Sequence, residues 1–272
     1  MTGAPERLLA GRGLHGGRPC AVRFSRARGV TTLGAAGSSR PLGALALTTA
    51  DRATSVRVDE SCVVVGVEHL LAAVHGLDAF AGLAIEVEGG EVPLVDGCAS
   101  AFAQAIEAVR DPSERRAPVR VVGVGVVRVE QASYEFAPSA QPDVEVEVDF
   151  PRARFGVALA GQAAWSGGRA EFLRDVAPCR TFGARRELDA LRARGLAAHV
   201  PAGCVVALDV DDPAWSPRDA GEPVRHKLLD LLGDLALLGG RFVGRLRASR
   251  PSHAATAAAI AEARRRGWLA LS

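Results

Sequence analysis

Residues 224–233 read V-R-H-K-L-L-D-L-L-G, and Asp234 follows directly. His226 and Asp230 stand four residues apart, the spacing that stacks two side chains on one helix face about one turn apart. An imidazole and a carboxylate so placed can share one zinc ion, leaving positions for a third ligand and a water. Asp234 extends the same stripe by a further turn. Leu228, Leu229, Leu231, Leu232 and Leu235 fill the other directions, which predicts a deeply buried helix. A polar stripe inside such a helix costs free energy unless it is paired or bound to metal. Lys227, beside the candidate ligand, is the only lysine in a chain that also lacks asparagine. A composition pushed toward arginine that still keeps one lysine singles out that ammonium, because the two basic side chains differ in hydration and in how readily their pKa moves.

A third ligand has to come from elsewhere. Residues 67–74, V-E-H-L-L-A-A-V, read as a second buried helix closed near Gly76. Glu68 and His69 are adjacent, so on a helix they point about 100° apart. One can then bind a metal while the other addresses the water at that metal. His75, at the helix end, is expected to cap it. Residues 11–18, G-R-G-L-H-G-G-R, predict a tight turn without the spacing of a dinucleotide or P-loop fingerprint, and His15 within it could touch a ligand, although a loop histidine is more often structural. Residues 91–99, E-V-P-L-V-D-G-C-A, read as a turn into a helix around 100–109, with Asp96 as a turn or capping residue.

Strands are expected at 19–25, 42–47, 54–58, 83–88, 119–129, 143–150, 204–210 and 241–248. A charged helix is expected over about 184–194. An alanine-rich helix follows His253, which could cap that helix or reach back into a site. The polar, proline-flanked stretch 111–118 is the best domain boundary, dividing 1–112 from 113–272. Both halves run strands, then helices.

Composition bounds the rest. A formal charge of +2 over 272 residues predicts no strong attraction to nucleic acid. Five cysteines without metal-site spacing fit reduced, mostly buried thiols in a cytosolic protein. The N-terminus shows no apolar signal core, and no run nears the ~18 apolar residues of a membrane span. A cytoplasmic protein without stable membrane insertion is expected.

Taken in order, G-R-G-L-H-G-G, V-E-H-L-L-A-A, E-V-P-L-V-D-G-C-A, C-R-T-F-G (179–183), V-R-H-K-L-L-D-L-L-G-D and S-H-A (252–254) span nearly the whole chain. Together they resemble the zinc-dependent UDP-3-O-acyl-N-acetylglucosamine deacetylases of lipid A biosynthesis. The resemblance implies an α+β fold of two similar domains, each a sheet packed against two helices, with the active site between them. It places zinc on His69, His226 and Asp230, although two histidines and a carboxylate also suit iron(II). It makes Glu68 the general base on the attacking water, and sets Thr181 and Lys227 at the oxyanion. His253, oriented by Asp234, protonates the departing amine, and Phe182 packs against the sugar.

By the same resemblance, residues 183–206 line a passage for the substrate's acyl chain, and the partner is the acylated UDP-sugar; a monomer is expected. This chain departs from the family pattern at His199 and Val200, where paired glycines are usual, and at Glu187, Ser252 and Ala81. Every residue assigned to catalysis is in place. Two other readings fit the same residues: a zinc-binding paralogue without turnover, and an amidohydrolase acting on another N-acyl sugar.

Overall fold

The computed structural model describes residues 5–50, 53–155, 157–193, 197 and 199–271. The N-terminal half holds strands β1 (Glu6–Arg12), β2 (Pro19–Val30), β3 (Thr32–Ala35), β4 (Ser38–Pro41), β5 (Ala46–Ala50), β6 (Ala53–Arg57) and β7 (Val63–Val65). Helix α1 (Glu68–Gly76), strand β8 (Ala81–Glu88) and helix α2 (Ser100–Val109) complete it. One sheet runs β1-β2-β8-β3-β4, and a second, three-stranded sheet runs β5-β6-β7. Residues 110–118 hold no helix or strand.

The C-terminal half begins with β9 (Val119–Val121), β10 (Gly125–Val129), β11 (Ala132–Ala137) and β12 (Pro142–Phe150). Then come α3 (Arg152–Phe155), β13 (Leu159–Trp165), α4 (Arg169–Glu171), β14 (Phe182–Gly183), α5 (Arg185–Ala193) and β15 (Val206–Ala207). The long helix α6 (Glu222–Ala236), β16 (Phe242–Ser249), α7 (His253–Arg265) and β17 (Leu269–Leu271) end the chain. A seven-stranded sheet runs β10-β11-β16-β12-β13, with β9 joining β16 and β17 joining β9. This is the mixed α+β class. β12 shows its origin: Val144, Val146, Val148 and Phe150 face inward at period two, and the residues between them face out.

Two helices decide where the site forms. In α1, every residue from Leu70 to Gly76 is buried, and α6 buries thirteen residues, including His226, Asp230 and Asp234. A helix apolar all round must be covered on all sides. Here α2 packs on β1 and β2, α1 packs between α2 and α6, and α6 packs on β12, β13 and α7. At the crossing of α1 and α6, a Cβ on Gly233 would lie 2.1 Å from the Glu68 carbonyl oxygen. Only glycine lets the backbones approach that closely, and the approach brings Glu68 and His69 against the polar stripe of α6. One continuous apolar core runs through both halves.

Several expectations need correction. Residues 42–47 are not a strand: Leu42–Ala44 form a 3-10 turn after Pro41, and the strand starts at Ala46. Residues 119–129 divide at Gly123, where Trp268 packs so closely that a Cβ would meet its ring at 2.3 Å. Of residues 204–210, only Val206–Ala207 is strand. It pairs in parallel with Phe182–Gly183, and the flanking chain is drawn into turns around the Arg180 guanidinium. The charged helix spans Arg185–Ala193, and Arg194 lies outside the described residues. His75 is fully buried, and its Nε2 accepts the Phe242 N–H at 3.1 Å. It therefore ties α1 to β16 rather than capping the helix. Burial holds its pKa down at about 3, so it is neutral.

Candidate active site and metal-binding triangle

The i,i+4 pair on α6 and the second residue of α1 meet as three donor atoms. His69 Nε2 and His226 Nε2 are 3.0 Å apart, and Asp230 Oδ1 lies 3.8 and 3.6 Å from them. These edges have the size of one face of a tetrahedron built on metal–ligand bonds of ~2.0–2.2 Å. Two imidazoles and a carboxylate are also the donor set that zinc takes in open sites. Each neutral imidazole has one nitrogen free of hydrogen, so both Nε2 atoms can be offered to one cation in this buried setting. The residues fit a divalent metal, and among the described residues this is the one such cluster.

The electrostatics suit that use. Burial lowers the pKa of both histidines, that of His226 to about 3, so both present neutral lone pairs. Asp230 is held ionised although burial opposes it, because the Lys227 and His253 charges favour its own. Lys227 Nζ donates to Asp230 Oδ2 at 2.6 Å, leaving Oδ1 to the histidines. Thr181 Oγ1 sits beside the edge that the two histidines form, 3.5 Å from His69 Nε2 and 3.4 Å from His226 Nε2. The Phe182 ring meets His226 edge-on at 5.4 Å and continues through Phe155 to Phe150 as an aromatic wall.

Two groups able to move protons face this cluster. Desolvation raises the Glu68 carboxyl to about 7, with the His253 charge pulling the other way. His253 is also desolvated, which disfavours its charge, but Asp234 prevails and lifts it to about 9. Its Nδ1 lies 3.1 and 3.0 Å from the two Asp234 oxygens. His253 opens α7, and it is Ser252 that caps the helix, accepting the Ala255 N–H. Arg250, three residues before His253, has φ 52°. That left-handed turn carries the chain off β16 and aims His253 inward.

The remaining motifs act as supports. Glu91 accepts the N–H groups of His15 (2.7 Å) and Gly16 (2.8 Å), which fixes the glycine turn at the cavity mouth. Asp96 accepts the Cys98 N–H, a turn role as expected. Gly97 has φ 78°, and a Cβ there would fall 1.7 Å from the Cys204 carbonyl. Its own carbonyl takes the Thr181 N–H at 3.0 Å, while the Thr181 carbonyl takes that of Val206 at 2.8 Å. Next to Thr181, buried Arg180 forms a two-pronged pair with Glu222, at the start of α6.

A cavity of about 450 Å³ joins all the residues expected from the sequence except Asp234, which stands behind His253: Glu68, His69, Thr181, Phe182, His226, Lys227, Asp230 and His253. Its far side is apolar, with Leu14, Leu188, Val205 and Ala207. Sequence reasoning missed Phe150, Phe155 and Arg250 in the lining, and Thr54 behind it. Nothing local marks them, since each reads as an ordinary residue of a strand, a short helix or a turn.

An α+β frame that clasps a two-histidine, one-aspartate triangle beside a carboxylate and an aspartate-backed histidine defines a class of metal-binding protein equipped for acid–base chemistry. The sequence profile of LpxC, described as UDP-3-O-acyl N-acetylglycosamine deacetylase, matches residues 4–263, and the chain belongs to this family. It is similar to proteins named UDP-3-O-acyl-N-acetylglucosamine deacetylase from Brucella melitensis, Brucella ovis and Brucella abortus. Each is 30% identical over 268 residues, covering 93% of this chain and 90% of the relative. Among the described residues, no helix is long and apolar enough to cross a membrane.

Proposed function

We propose that this protein is a zinc-dependent hydrolase that removes the acetyl group from a UDP-3-O-acyl-N-acetylglucosamine, releasing acetate, as a step of lipid A biosynthesis. The observation that carries the proposal is one cavity holding a metal-sized donor triangle, the buried Glu68 carboxyl and the Asp234-backed His253 imidazole. His69, His226 and Asp230 would hold the metal. Bound there, zinc supplies an open position that acidifies water and polarises a carbonyl; iron(II) suits the same donors.

The chain's own groups divide the remaining work. Glu68 accepts a proton as water adds to the acetamide carbon. Thr181 Oγ and the Lys227 ammonium donate toward the oxygen on which negative charge develops. His253, kept charged by Asp234, gives a proton to the nitrogen as the C–N bond breaks, and acetate and a free amine leave. Phe182 packs on the sugar, and the apolar side along 183–206 takes the acyl chain. The reading divides the chain at 112/113 and has the protein act as a monomer in the cytoplasm.

Incubation of the protein with acylated UDP-N-acetylglucosamine, with metal content measured in the same samples, tests the proposal. Acetate release that depends on bound metal is expected. Full metal occupancy without turnover would make the chain a binding paralogue, and release only from simpler N-acetyl sugars would reassign the substrate.

A further inference from the structure

Thr54 lies on β6, 1% exposed, with every polar atom engaged. Its N–H donates to Glu68 Oε2 at 2.9 Å. Its carbonyl accepts the N–H groups of Gly66 and Val67, each at 3.0 Å, and so fixes the entry to α1, which has no side-chain cap. Its hydroxyl donates to Asp234 Oδ1 at 2.6 Å and turns a lone pair toward His253 Nδ1 at 2.8 Å. One threonine therefore touches the base on one side and the acid with its counter-charge on the other.

Proton accounting makes the contact directional. A hydroxyl has one proton to give, and a carboxylate has none. With that proton spent on Asp234, both neighbours of His253 Nδ1, the Thr54 oxygen and the Asp234 carboxylate, are acceptors. Nδ1 must then carry a hydrogen whether the ring is neutral or charged, and the proton that exchanges sits on Nε2.

We infer that Thr54 is a positioning residue for both proton-transfer groups: its main chain sets Glu68, and its hydroxyl fixes Asp234 and the His253 ring so that Nε2 faces the departing nitrogen. The inference rests on the deacetylase reading and adds to it a residue from outside the cavity lining. It differs from a buried threonine that merely satisfies acceptors, because it requires the rate to follow the hydroxyl rather than stability.

Thr54→Val keeps the shape and the main-chain contacts but removes the hydroxyl, whereas Thr54→Ser keeps the hydroxyl. In zinc-loaded protein, Thr54→Val should lower kcat by about tenfold or more, the scale of lost support behind a catalytic group. KM should change by less than about twofold, and Thr54→Ser should restore most of kcat. A second readout is nitrogen-15 NMR of histidine-labelled protein. At a pH above its pKa, where the ring is neutral, His253 should carry its one ring N–H on Nδ1, with a low-field proton resonance in wild type and Thr54→Ser that moves upfield in Thr54→Val. Unchanged kcat in Thr54→Val, or a loss that serine does not restore, would overturn the inference. So would an Nε2–H tautomer in the wild type. If Thr54→Val does not fold, the wild-type and serine spectra decide. If wild type binds zinc but turns nothing over, the deacetylase reading falls on its own, and the same spectra still judge the hold of Thr54 on His253.

Discussion

Lys227 shows how much a single side chain is asked to do here. Its ammonium neutralises the outer oxygen of Asp230 and lines the cavity where charge would develop on the substrate. Lys227→Ala should lower kcat by about 10²-fold, the cost of an oxyanion donor, and metal content at saturating zinc should stay near wild type. Unchanged turnover would reduce the lysine to a partner of Asp230. On the proposed mechanism, His253 and Glu68 set the pH dependence. Glu68 must be ionised and His253 protonated, so kcat/KM against pH should be a bell. The acid limb lies at or below about 7 and the basic limb at or below about 9, since a bound cation favours the carboxylate and opposes the imidazolium. The sign at high pH is fixed: His253 is raised by Asp234, so activity is lost as pH climbs through its pKa. Asp234→Asn removes the counter-charge and should move the basic limb to lower pH, toward the ordinary histidine value near 6.5. An unmoved limb in that variant would place the proton donor elsewhere.

Helices α1 and α6 bring the site together, and Gly233 sets their distance. Gly233→Ala would push a methyl onto the Glu68 carbonyl. Overpacking of this kind costs about 1–3 kcal/mol. It should also move Glu68 and His69 away from the α6 stripe, so kcat and metal affinity fall together with stability. Urea unfolding alongside a zinc titration checks this, and an alanine variant with wild-type affinity would mean that the crossing tolerates spreading. The helices were legible in sequence for a physical reason. Apolar residues surround both, and a polar stripe inside such a helix is informative in itself. His75 was not legible. A histidine at a helix end normally meets solvent, but α1 is covered at its end as well as along its sides.

Across the whole molecule, the donors come from both halves: His69 from the first, His226 and Asp230 from the second. A metal there ties segments 157 residues apart, and chelation should loosen that tie. With metal held at about 100-fold over its dissociation constant, binding adds about 2.7 kcal/mol. Removing it should lower Tm by roughly 5–10 °C for a chain of this size. An equal Tm with and without chelator would mean that the packing of α1 on α6 alone holds the halves. What the sequence left hidden follows the same logic of distance. Thr54 reaches Asp234 and His253 across 180 and 199 positions, and no local pattern encodes such a contact. Edge strands were obscure for another reason: β1 is largely exposed and shows no inward alternation, so little in it distinguishes strand from loop.

The arginine-rich composition has a practical consequence. Activated esters and aldehydes seek primary amines and pass over guanidinium groups. This chain offers them one side-chain amine, and it stands on the cavity wall with 13% of its side chain exposed. Amine labelling mapped to Lys227, separated from that of the α-amino group, therefore becomes a count of open clefts. The stoichiometry of modification reports how many molecules have the cleft accessible, and a ligand that fills the cleft registers as protection.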